Sequence, residues 1–253
     1  MPTKTISLTG PAQRPLRRTW LAAMLLAASS ASVCAQGLGV GYTEWIPLSN
    51  LAAVSTAMNA AAIARVKVQA GGAGRTATGA TGNQAALTRA PGATADPRNA
   101  QALAAGYPAN KRAEMARVFR QSFDAYRKLE AQLRLPRDDV AAAVAAFIAG
   151  NYMALRNLPL PPDADFLALV AQLRVTLGAS PAFISSSARL KRQAFEQFAM
   201  QGMFMAASQL ALMRKPDPAA DRFFRDHARA NLEQVLKIQA DKLLLTHQGL
   251  QLR

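Results

Sequence analysis

The stretch Val140-Ala-Ala-Ala-Val-Ala-Ala-Phe-Ile-Ala-Gly-Asn-Tyr-Met-Ala-Leu155 is apolar nearly all the way round a helix. A helix without a polar face needs neighbours on every side, so this segment is expected in the middle of a helical bundle. The sequence around it agrees. Met115, Val118, Phe119, Ser122, Tyr126, Leu129 and Leu133 recur at three- and four-residue steps, with Arg117, Arg120, Arg127 and Lys128 on the other side. That spacing predicts a first amphipathic helix over about 111–134, ending before Pro136. Asp138 stands where an N-cap would open the apolar second helix. Leu158-Pro-Leu-Pro-Pro162 interrupts the chain, Asp163 can cap a third helix over Phe166 to Leu177, and Gly178 ends it. A fourth helix follows Ser185-Ser-Ser187 and continues to about Met213, and Asp217-Pro218 opens a fifth.

On the fifth helix, Asp221, Arg225, Arg229, Glu233, Lys237 and Asp241 fall four residues apart. They form a solvated stripe of mostly alternating sign. Opposite it, Phe224, Ala228, Leu232, Val235, Leu236 and Leu243 face the core. Five helices of this length predict an all-α bundle over 107–253 with no room for a sheet.

Upstream the chain changes character. Residues 70–106 are rich in Gly, Ala and Thr, and no aromatic residue occurs between Trp45 and Tyr107, so this stretch reads as a flexible linker. The segment 36–69 contains an Ala-rich run, Leu51 to Ile63, that suits a short helix or a docking arm. Lys4, Arg14, Arg17 and Arg18, with no acid among them, precede the apolar and small run Trp20 to Val33. That order is the pattern of a secretory signal peptide over 1–35, with cleavage after Ala35. The run is too short and too rich in Ser and Ala to be kept as a membrane-spanning helix. Arg17-Arg18-Thr19-Trp20-Leu21 also resembles a twin-arginine signal, and Cys34 offers a site for lipidation, so the export route and the final N-terminus stay open. The expected location is the periplasm or the exterior, with no transmembrane span in the mature chain.

Composition limits the chemistry. One Cys and two His in 253 residues exclude a disulfide framework and most Cys/His metal centres. At 18% charged residues and a mean hydropathy of +0.03, the chain is neither a disordered polar polymer nor a polytopic membrane protein. The net charge is +15, and loss of residues 1–35 with their four basic side chains lowers it to +11. Such a charge predicts weak attraction to anionic surfaces. Arg189, Lys191 and Arg192 cluster at the start of the fourth helix, and Lys111, Arg112 and Arg117 at the start of the first. Neither group is interleaved with aromatics, and nucleic acid is not the expected partner.

No catalytic motif emerges. Gly-x-Ser-x-Gly and His-Glu-x-x-His are both missing from the sequence, and His227 and His247 stand twenty residues apart. His227 reads as a surface residue, and His247 as part of the last helical turn. Gly74 to Thr81 copies the glycine spacing of a phosphate-binding loop but has Ala80 in place of its lysine. Met200, Met203 and Met205 are the kind of thioethers that bind soft copper, but they also fit core packing. The sequence therefore assigns no catalytic, cofactor-binding or metal-binding residue, no cofactor and no enzymatic activity.

Three segments carry a family resemblance: Arg137 to Leu155, Gln193-Ala-Phe-Glu-Gln-Phe-Ala-Met-Gln-Gly202, and Leu245-Thr-His-Gln-Gly-Leu250. Over about 110–252 the chain resembles a family of exported bacterial proteins with no assigned function. The resemblance implies a signal peptide, a variable low-complexity stretch and a C-terminal helical domain, and it brings no catalytic residues. Polar residues set in apolar helices are the best site candidates: Asn151, Tyr152, Glu196 and Gln201. Each also suits interhelical hydrogen bonding. The expected role is a binding or envelope-associated accessory protein acting on a protein or an envelope component. The alternative is a carrier with an apolar ligand or metal in its core near Met200, Met203 and Tyr152.

Overall fold

In the computed structural model, residues 85–92 and 96–253 are described. The expected signal peptide, the segment 36–69 and, of the expected linker, residues 70–84 and 93–95 lie outside them. The described chain is mostly helical: α1 Pro97–Ala104, α2 Ala109–Gln132, α3 Val140–Arg156, α4 Asp163–Gly178, α5 Pro181–Ile184, α6 Ala188–Arg214 and α7 Pro218–Leu236. A 3-10 turn at Ala240–Lys242 then leads into the antiparallel strands β1 Leu243–Thr246 and β2 Gly249–Leu252.

Helix α3 is the centre, as its composition requires. Val140 through Leu155 are all buried. Its main partner is α6, and the two run in the same direction, because Asp138 meets Arg192 at one end and Asn157 meets Gln209 at the other. They cross at backbone contact. A Cβ on Gly150 would lie 2.2 Å from the Gly202 carbonyl oxygen, and one on Gly202 would lie 2.4 Å from the Phe147 nitrogen. Ala146, Ala199 and Ala206 extend this small-residue seam and are buried with it. Helix α2 packs against α6 in the opposite sense, through Phe119 on Phe204 and both Phe123 and Tyr126 on Phe195. Helix α7 reaches α6 through Phe224 on Phe204, and α3 through Asn231 on Asn151.

Caps fix the helix ends. Ser187 accepts from the Leu190 N–H, and one Asp217 oxygen accepts from the N–H groups of Ala219 and Ala220. Two expected caps shift by one residue. Asp139, not Asp138, caps α3 by accepting from the Ala141 N–H, while Asp138 takes a left-handed conformation with φ of 62°. Pro162 precedes α4, and Asp163 forms its first turn, where its charge complements the helix dipole.

The folded body begins earlier than composition suggests. Residues 85–92 and 96–104, part of the stretch assigned to a linker, are packed onto the bundle. Ala100, Leu103 and Ala104 on α1 are buried. The Ala90 N–H donates to the Asp138 carbonyl at 2.8 Å and the Val140 N–H to the Thr88 carbonyl at 3.0 Å, an antiparallel bridge. Small residues here pack closely against the body, so the low-complexity appearance does not extend to these positions.

The C-terminus departs from an all-helical bundle. Helix α7 ends at Leu236, because Lys237 adopts φ of 54°, and a hairpin follows in place of more helix. The hairpin is held by Gln172 of α4, whose side chain donates to the Leu250 carbonyl at 2.9 Å and accepts from the Leu250 N–H at 2.7 Å. An amide side chain therefore serves β2 as a neighbouring strand would. His247 lies exposed in the hairpin turn, not in a helical turn. Of the expected stripe, Asp221–Arg225 pairs along α7 and Arg229 reaches Asp241 beyond the helix end. Glu233 accepts from the Ala240 N–H instead of pairing with Lys237.

Candidate functional site

Helices α2 and α4 end, and α3 and α6 begin, at one end of the bundle, with residues 85–92 laid across it. Into this end the fold draws four carboxylates. Glu196 is fully buried and accepts from Arg192 Nε at 2.5 Å, Asn99 Nδ2 at 2.7 Å and the Asp96 N–H at 3.0 Å. Asp138 Oδ1 takes Arg127 Nη2 at 2.6 Å and Arg192 Nη1 at 2.8 Å. Glu130 accepts from Arg127 at 2.7 Å and from the Asp138 N–H at 2.9 Å. Asp139 accepts from Thr88 Oγ1 and from Arg174 Nε, each at 2.7 Å. Arg192 also donates to the Gly92 carbonyl at 2.9 Å, so one guanidinium joins α6, the α2–α3 turn and the N-terminal segment.

The electrostatics are closed on themselves. Burial works against the charge on Asp138, but the guanidiniums of Arg127 and Arg192 outweigh it and hold its pKa below the ordinary carboxylate value. The Arg127 and Arg192 guanidiniums also lie over the Phe195 ring, at 4.9 and 5.3 Å from its centroid. Burial, with Glu130 and Asp139 nearby, pushes the Tyr126 hydroxyl well above its usual pKa. Every carboxylate here is occupied by a cation or an N–H, and none is presented as a base or nucleophile. The arrangement can tie segments together and withhold negative charge from the surface.

The sequence candidates separate. Glu196 belongs to this network. Asn151 and Asn231 form a buried pair at 2.9 Å, with Asn151 also donating to the Phe147 carbonyl. Gln201 is fully buried, and neither its amide oxygen nor its nitrogen has a hydrogen-bond partner. Tyr152 lies beneath Arg156. It stands two residues from the α6-facing Gly150, about 200° round the helix, and so points away from α6. Met200 stands two residues from Gly202 and so points away from α3. It lines a cleft of about 310 Å³ with Ala100, Arg117, Arg120 and Phe123. Met200 and Tyr152 therefore do not converge. Met203 and Met205 are core residues. His227 bonds the Phe223 carbonyl at 2.8 Å, and its ring lies tilted by 38° against the Phe223 ring.

The sequence reading missed most of the network. Arg192 was expected on a solvated basic cluster and is buried, and Arg127 was expected on a polar face and is half-buried. Two signals were present: Arg192 and Glu196 are four apart on α6, and Arg127 and Glu130 three apart on α2. Among the described residues no group of three His, Cys, Asp or Glu is arranged to hold a metal, and no helix is long and apolar enough to cross a membrane.

A family model described as a family of unknown function (DUF6683) matches residues 16–253. No curated protein and no solved structure matches the chain.

Proposed function

This chain belongs to that family of unknown function, and we propose that it is an exported protein that works by binding at the cell envelope, as an accessory to another component, without catalysing a reaction. The observation that carries this reading is the charge arrangement at the α3/α6 end. The carboxylates there are consumed inside the fold by Arg127, Arg174 and Arg192, which leaves recognition to the exterior. The basic, apolar order of residues 1–35 supports export. The backbone contact between Gly150 and Gly202 supports an external binding surface over an internal carrier site, because it closes the space between the two central helices.

The test is fractionation of cells expressing the full chain, with the mass of the recovered protein. The expected result is a chain starting at Gln36 in the periplasmic or envelope fraction, with a mass equal to the bare polypeptide. An intact N-terminus in the cytoplasm would overturn export. Stoichiometric metal or a retained apolar ligand would overturn the accessory role in favour of a carrier.

A further inference from the structure

Between α1, α2 and α6 the fold leaves a cleft of about 310 Å³. Its floor is apolar and fixed: Ala100 of α1, Phe123 of α2 and Met200 of α6 are each at most 5% exposed. The Phe123 ring is held edge-on by Phe195 and lies under the Arg127 guanidinium. The α1 wall is held as firmly, because buried Glu196 accepts from the Asp96 N–H and from Asn99 Nδ2. The network that consumes carboxylates therefore also sets the width of this cleft. Its volume is at the lower end of the range for ligand pockets, which suits a small molecule and not a polymer segment.

The rim carries both signs of charge. Arg117, Arg120, Gln121 and Asp124 of α2 line it and are exposed, and they fall within about 100° on one side of the helix. None of the three charged side chains has an ion-pair partner among the described residues. Arg120 and Asp124 stand four residues apart, the spacing at which Arg192 with Glu196 and Asp221 with Arg225 do pair, yet these two stay separate. Asp96 on the facing rim is already taken by Arg98. Other exposed cations occur over the whole surface; these are set apart by the buried apolar floor between them and α1.

The mixture of charges selects the occupant. A simple anion would meet Asp124, and a metal ion or an amine would meet two guanidiniums. A zwitterion uses all three groups. Arg120 and Asp124 are about 6 Å apart along the helix axis, so a carboxylate and an ammonium carried on one carbon reach both at hydrogen-bond distance. The substituent on that carbon then meets Phe123, Met200 and Ala100, whose surface takes an apolar side chain.

We propose that this cleft binds a free α-amino acid with an apolar side chain, its carboxylate on Arg117 and Arg120, its ammonium on Asp124 and its side chain on Phe123 and Met200. This goes beyond the envelope reading and stands or falls without it.

The test is calorimetric titration of the full chain with leucine and with three probes that each lack one feature. N-acetyl-leucine lacks the ammonium, leucinamide the carboxylate and glycine the apolar side chain. Saturable leucine binding is expected, with each probe at least tenfold weaker, because each gives up one set of contacts. Asp124→Asn is expected to weaken leucine at least tenfold without weakening N-acetyl-leucine. Arg117→Gln with Arg120→Gln is expected to weaken leucine as much without weakening leucinamide. A control pair on α7, Arg222→Gln with Asp226→Asn, is expected to change leucine affinity less than twofold, and a loss equal to that of the cleft variants would overturn the place. All substituted positions are exposed, and unchanged helical circular dichroism keeps loss of fold out of the comparison. No saturable binding at millimolar leucine would overturn the site. Equal affinity for leucine and N-acetyl-leucine would overturn the zwitterion in favour of a carboxylate alone, such as a peptide C-terminus. A chain that fractionates with the envelope but binds no leucine would sink this cleft and leave the accessory role standing. One that binds leucine but stays in the cytoplasm with its N-terminus intact would do the reverse.

Discussion

Gly150 of α3 and Gly202 of α6 lie against each other so closely that neither position can carry a side chain. A methyl group at 150 would stand 2.2 Å from the Gly202 carbonyl oxygen and 3.2 Å from the Ala206 nitrogen. Both obstacles are backbone, so no rotamer change can relieve them, and the central helix pair would have to separate. Gly150→Ala is therefore expected to destabilise the fold by about 3 kcal/mol, the upper part of the range for overpacked cores. This holds even though alanine is the better helix former. Chemical denaturation of parent and variant measures it. A stability change below about 0.5 kcal/mol would show that the helices are not in backbone contact.

That crossing marks the boundary of what the sequence could disclose. The uniform apolarity of Val140 to Leu155 identifies a helix covered on all sides, but it does not say which helix covers it. Glycine at 150 and 202 has meaning only once the two are opposed. Glu196 stood out as a charge inside an apolar helix. Arg127 did not, because a cation opposite an apolar stripe looks solvated until residues 138–140 are folded beside it. The hairpin was hidden for a local reason. The four-residue spacing of charges continues through Lys237 to Asp241, while the helix stops at a left-handed lysine where no glycine or proline warns of it.

Arg192 connects three segments distant in sequence, and its removal would leave buried Glu196 without a cation and Asp138 with Arg127 alone. Arg192→Met keeps the stem and deletes the charge, leaving Glu196 and Asp138 each short of a cation. Breaking a buried pair on one side costs about 3–5 kcal/mol, so this variant is expected to lose that much. The double variant Arg192→Met, Glu196→Gln is expected to recover part of the loss. A double-mutant cycle by urea unfolding checks it, and additive losses would mean that the two side chains are not coupled.

The network also sets the acid sensitivity of the fold. The guanidiniums hold the Asp138 pKa below the ordinary carboxylate value in the folded state. As pH falls, the unfolded chain therefore takes up this proton first. The stabilisation is complete above the unfolded pKa of about 3.9 and disappears as pH drops through the lower folded value. The melting temperature is expected to be insensitive to Asp138 between neutrality and pH 5 and to decline below about pH 4. Asp138→Asn, which tolerates the left-handed backbone at 138, is expected to give a lower curve with a shallower acid limb. Parallel curves for the two proteins would remove Asp138 from the account.

Tyr126 has the opposite character. Its ring is packed on Phe195, but its hydroxyl is buried without a hydrogen-bond partner. Tyr126→Phe keeps the ring contacts and deletes the unsatisfied group, so it is expected to raise stability by about 1 kcal/mol. A loss of that size would instead reveal a bridging water at the hydroxyl.

Gln201 decides whether the polar residues inside α6 exist for the fold or for a ligand. Its amide is fully buried, with neither end hydrogen-bonded, a burden that ordinary packing does not retain. Gln201→Met fills a similar volume without polar atoms. If the amide only burdens the fold, the variant is expected to gain about 1–2 kcal/mol. Urea unfolding of parent and variant reads the difference. A loss of stability would show that the amide is paired in solution.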